Sequence, residues 1–140
     1  MLKKFFKKKE SNIKNKTVLI AALLVHAAKI DENYTHIEKK IIKKALINLD
    51  SISDQKAEEI LAEAEKKEQE SNQIIEFTRE IKNSPMDFRF KIIEILWKII
   101  YSDGSSDNYE SNLIRRICGL LYVSDKDNGI IKLKIKQSTK

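Results

Sequence analysis

Four acidic residues in this chain fall into two pairs with one spacing. Asp31 and Glu38 stand seven positions apart within KIDENYTHIE, and Asp103 and Glu110 stand seven apart within YSDGSSDNYE. The later pair lies 72 positions after the earlier one. An apolar run leads into each aspartate, AALLVHAAKI in one case and IEILWKIIYS in the other, and an apolar pair follows each glutamate, Ile41-Ile42 and Leu113-Ile114. One acidic pattern is therefore written twice in similar surroundings.

Two chemistries fit such a pattern. Thr35-x-x-Glu38 and Asp107-x-x-Glu110 each have the form of a capping box, in which the cap oxygen takes one orphan N–H of a helix start and the glutamate reaches back for another. On that account both glutamates are structural. The aspartates do not fit it. Each is expected just past a helix C-terminus, where unpaired carbonyls already carry partial negative charge and a carboxylate costs about 0.3–1 kcal/mol. Side chains in the first turn of the next helix lean back toward its N-terminus, which aims each glutamate at the same loop. Carboxylates and exposed carbonyls gathered in this way are the oxygen ligands a hard divalent cation selects. The candidate ligands are Asp31, Glu38, Asp103 and Glu110, with Glu32 and Asp107 as further carboxylates in the same loops. The motif is not an EF-hand, because the twelfth position is Ile42 counted from Asp31 and Ile114 counted from Asp103, where a bidentate glutamate is needed. A ferritin-like di-iron centre is excluded by the lack of any Glu-x-x-His.

Helices must position these residues. Three glycines and one proline in 140 residues leave little for the turns of a β fold, and 41% hydrophobic content suits one compact domain. The expected class is all-α, about seven helices, with a duplicated helix-loop-helix. Residues 17–30 form the first, apolar helix, and 36–49 follow with Ile37, Ile41, Ile42, Ala45, Leu46 and Leu49 at helical spacing. Ser53 caps a third, outer helix, apolar only at Ala57, Ile60, Leu61 and Ala64. A fourth runs through Ile74, Ile75, Phe77 and Ile81. Ser84 is placed as the cap of the fifth, with Pro85 in its first helical position. Because FRFKIIEILWKIIY is apolar nearly all round, this fifth helix belongs at the centre. Residues 108–122 give a sixth helix, and SDKD at 124–127 caps a lysine-rich seventh that Gly129 weakens.

Charge divides the chain differently. Residues 1–16 hold seven lysines and Glu10, while 17–125 carry 15 basic against 19 acidic residues, and 126–140 add five lysines to one aspartate. An acidic body thus carries two basic ends. The expected divisions are a basic arm, 1–16, a helical domain, 17–127, and a lysine-rich C-terminal helix or tail, 128–140. Within the arm, Leu2, Phe5 and Phe6 are spaced for one helix face among Lys3, Lys4, Lys7, Lys8 and Lys9. That arrangement suits contact with an anionic membrane surface, each lysine adding about 1 kcal/mol there, and it equally suits a solubilising arm. TVLIAALLVHAA, twelve residues behind a basic start, imitates a secretory signal, but it is too short to span a bilayer and the repeat assigns it to the first helix.

Other chemistry is poorly represented. Two histidines and one cysteine exclude a disulfide framework and the usual zinc sites. His26 reads as a core histidine and Cys118 as a small core hydrophobe, and no nucleophilic triad, phosphate loop or dinucleotide fingerprint is present. An enzyme is not expected.

The segments AALLVHAAKIDENYTHIEKKIIKKAL, FTREI and EILWKIIYSDGSSDNYESNLIRRICGLLYVSD resemble the tellurite resistance protein TerB and its relatives, among them the N-terminal domain of the DjlA co-chaperones. The resemblance covers residues 17 to 127. It implies an all-helical domain whose acidic surface binds a divalent cation, calcium or manganese, with magnesium also admissible, through Asp31, Glu38, Asp103 and Glu110. The family's Ala-Asp-Gly becomes Ser102-Asp103-Gly104 in the second copy and Ile30-Asp31-Glu32 in the first, which sets the first loop apart. The expected role is a non-enzymatic interaction or stress-response module in the cytoplasm or at the inner face of the membrane. A membrane-surface adaptor and a DjlA-type co-chaperone accessory are the alternatives. The expected partners are a protein of unspecified kind and an anionic membrane surface; nucleic acid is not expected, since no recognition module follows the arm.

Overall fold

The computed structural model describes residues 16–29, 34–71, 74–102 and 108–138. Those residues form seven α-helices and one 3₁₀ turn, and no strand occurs among them. We number the helices α1 (16–28), α2 (His36–Asp50), α3 (Asp54–Glu70), α4 (Ile74–Thr78), α5 (Met86–Tyr101), α6 (Asn108–Leu120) and α7 (Asp125–Ser138). The fold class is all-α. No helix among the described residues is long and apolar enough to cross a membrane.

Helix α5 occupies the centre, as a run without a polar face requires. Ile92, Ile93, Leu96, Trp97, Ile99 and Ile100 are all buried, and α1 packs beside it through an equally buried run from Ile20 to Val25. Helix α3 lies outside, contributing Ala57, Ile60, Leu61 and Ala64 to the core. Helix α7 closes the other side. There Trp97 Nε1 donates to Asn128 Oδ1 at 2.9 Å, and Ile135 joins the core.

Two contacts fix how the helices run. Thr17 Oγ1 donates to Asp50 Oδ2 at 2.7 Å, tying the start of α1 to the end of α2, while the neighbouring Lys16 Nζ lies 4.8 Å above the ring of Phe88 at the start of α5. Helix α1 is therefore antiparallel to α2, and its start lies beside the start of α5. Arg89 near the start of α5 donates to Leu121 O at 2.7 Å, just beyond the end of α6, so α5 and α6 are antiparallel as well.

The structure departs from the sequence reading at two helix starts and stops. The fourth helix is a five-residue α4 followed by a 3₁₀ turn, Ile81–Asn83. Thr78 Oγ1 donates back to Ile75 O at 3.2 Å, a local bond that competes with helix continuation, and the tighter turn delivers Ile81 into the core. Ser84 is not the cap of α5. Pro85, at φ −54° and ψ 152°, is the flanking residue, and its carbonyl accepts from Phe88 and Arg89 N–H. The Ser84 hydroxyl is buried with no hydrogen-bond partner among the described residues, while its carbonyl accepts from Arg89 Nε at 3.0 Å.

Candidate functional site

Each copy of the acidic pattern lies between two helices, α1 and α2 in the first and α5 and α6 in the second. Glu38 is the third residue of α2, and Glu110, 72 positions later, lies within the described span of α6. Helix α5 ends at Tyr101, two residues before Asp103, and the helical part of α1 ends at residue 28, shortly before Asp31. Segment 30–33 follows α1 in the chain and segment 103–107 follows α5. Asp31, Glu32, Asp103 and Asp107 lie outside the described residues, as do Leu2 to Lys9. Glu110 is described through its backbone alone.

Glu38 is the candidate ligand whose side chain is described, and it is 7% exposed. The capping box expected from the sequence is formed. Thr35 Oγ1 accepts from Glu38 N at 3.2 Å, while Glu38 Oε1 accepts from Thr35 N and Thr35 Oγ1, each at 3.0 Å. A carboxylate oxygen in such a box keeps lone-pair directions for another partner. Carboxylate oxygens without thiolate or imidazole are also the donor set that fits a hard divalent cation. Among the described residues no three His, Cys, Asp or Glu side chains converge as metal ligands. His36, at the first position of α2, is exposed.

Next to this box the structure places a cluster that the sequence reading missed. Glu68, near the end of α3, is 6% exposed; its Oε1 lies 3.2 Å from His26 Nδ1 and its Oε2 accepts from Lys29 Nζ at 3.0 Å. His26 is thereby satisfied from α3 and also rests against the Phe77 ring. Lys39 Nζ lies 3.7 Å from Glu65 Oε2. The Tyr34 ring receives Lys39 Nζ at 4.9 Å and Lys29 Nζ at 5.9 Å from its centroid. Its buried hydroxyl has no hydrogen-bond partner among the described residues. Burial first, then the negative charges of Glu65, Glu38 and Glu68, hold the Tyr34 phenol well above its ordinary pKa. A sequence signal for Glu68 did exist. It continues the stripe Ala57, Ile60-Leu61, Ala64 at the next helical step, so a glutamate occupies a core-facing position.

Comparison with known families gives a match. The family model described as "Tellurite resistance protein TerB" matches residues 17–133, a span that contains both hairpins. No curated protein and no solved structure matches the chain.

Proposed function

From the premise that this chain belongs to the TerB family, we propose that it is a non-enzymatic helical module that takes up a divalent cation on the acidic residues of its two repeated stretches. Asp31, Glu38, Asp103 and Glu110 would hold the ion, with Glu32 and Asp107 as additional carboxylates. The observation that carries this reading is the capping box formed at Glu38, whose counterpart 72 positions on, Glu110, stands in a second stretch of the same acidic spacing.

A bound calcium or manganese ion supplies the positive charge that such a set of carboxylates lacks. Carboxylates crowded together without it repel one another and favour protonation. The chain's own contribution is positional. The capping box fixes Glu38 at the mouth of the first loop, and α5 ends immediately before the second loop, so backbone carbonyls and Asp103 share that segment. Relief of repulsion stabilises the folded state by mass action and changes the charge of these stretches, which is how such a module would report the ion to a protein partner. Family membership supports a part in a stress response of the tellurite-resistance kind.

Calorimetric titration of the full chain with calcium, manganese and magnesium tests the reading. Calcium or manganese is expected to bind, and Asp103→Asn is expected to weaken binding by about tenfold or more, since ligand charge count sets affinity at such sites. Absence of binding at millimolar ion, or equal affinity in the Asp103→Asn variant, overturns it.

A further inference from the structure

Helix α2 carries two adjacent stripes, one buried outright and one that packs only partly against the core. Glu38, Ile42 and Leu46 face inward. Ile37, Ile41, Ala45 and Leu49, offset by one position, form with Ile95 of α5 the floor of an open groove of about 640 Å³ between α2 and α5. Ile37 is 60% exposed at one end of it. From Ile37 to Leu49 the floor runs about 18 Å at 1.5 Å per residue, the length of a three-turn helix.

The rim has a definite sign. Lys44 on α2 and Lys91 and Lys98 on α5 border the groove, and none has an acidic partner within ion-pairing distance among the described residues. The acidic side chain at the rim, Glu94, lies 3.6 Å from Lys134 of α7 and so is already matched. A basic, apolar groove is thus cut into a body, residues 17–125, that is acidic as a whole.

We infer that this groove is a docking site for an acidic amphipathic helix of a partner protein, its apolar side chains on the α2 floor and its carboxylates against Lys44, Lys91 and Lys98. Charge complementarity selects this occupant over the others available. Residues 1–15 of the chain carry six lysines and would bring like charge to the rim. A second copy docked about a two-fold axis would set the same three lysines against themselves. Helix-in-groove recognition uses anchors at i, i+3, i+4 and i+7, which a straight apolar floor of this length accepts. The inference does not depend on a bound cation, because no groove residue is among the candidate ligands.

The test uses the full chain and a fluorescein-labelled helical peptide of about 16 residues, with leucines at those anchor positions and glutamates elsewhere, beside a twin in which every glutamate is lysine. At roughly 50 mM salt the acidic peptide should bind at least about tenfold more tightly than its twin, with chelator or calcium present alike, and rising salt should weaken it. Lys91→Glu together with Lys98→Glu, both exposed, should reverse the preference, and Ile41→Glu should abolish binding. If Ile41→Glu fails to fold, the lysine pair still decides. Equal affinity for the two peptides, no binding, or a preference unmoved by the lysine reversal overturns the inference. So does acidic-peptide binding that appears only after residues 1–15 are deleted, which makes the arm the occupant. A dimer in sedimentation equilibrium that Ile41→Glu disperses overturns it too, in favour of a second copy.

Discussion

Cys118 illustrates how burial decides the chemistry of a single side chain. It is 1% exposed on the inner face of α6, and burial, aided by the nearby charge of Asp125, pushes its thiol up to about 12 from an ordinary 9.0. The thiolate is the reactive form, so this cysteine should be alkylated at pH 8 about two to three orders of magnitude more slowly in the native chain than in urea. The sign for stability follows from the same shift. Above pH 9 the unfolded thiol releases its proton while the folded one keeps it, so the unfolded state binds fewer protons and stability falls as pH rises toward the folded value. Urea midpoints at pH 8, 9 and 10 should therefore decline, and decline less in Cys118→Ala; equal slopes would show that the thiol is not the cause. Glu38 shows the limit of reasoning about one residue. Its sequence context allowed both a cap and a ligand, and the structure shows the cap formed.

At the scale of elements, termini carry most of the local information. Ser53 Oγ accepts from Lys56 N at 3.1 Å and Ser124 Oγ from Asp127 N at 3.1 Å, both as their sequence contexts indicate. Ser51 ends α2 in the left-handed region at φ 52°, and its N–H donates to Ile47 O at 2.9 Å. Only glycine adopts that conformation without a Cβ penalty. Ser51→Gly should accordingly raise stability by about 0.5–1 kcal/mol in urea unfolding, the left-handed penalty outweighing the added freedom of the unfolded chain. A loss of stability would place the strain elsewhere. At Ser84-Pro85 two plausible first residues adjoin, and local pattern does not choose between them. The choice between them fell to Arg89, whose guanidinium binds Ser84 O on one side and Leu121 O on the other, a partner 32 positions away that no local pattern displays.

Over the whole molecule, α5 is the element on which the others converge. Leu96, fully buried at its centre, should cost about 2–5 kcal/mol when cut to alanine, a large share of the 5–15 kcal/mol typical of a domain. Ile130, 57% exposed on α7, should cost no more than about 0.5 kcal/mol on the same change. Chemical denaturation of the two variants checks the contrast, and similar losses would mean that α5 is not the centre. By itself the sequence determined the helical class, the run of helices, the buried character of α5 and the repeat of 72 positions, because each depends on periodicity and capping between near neighbours. The tertiary structure decided which stripe of α2 is buried outright and which lines a groove, that Glu68 meets His26 and Lys29, and that Arg89 ties the start of α5 to the end of α6. Those outcomes depend on the direction in which one helix is laid against another, and the sequence encodes that direction only through the sum of all its contacts.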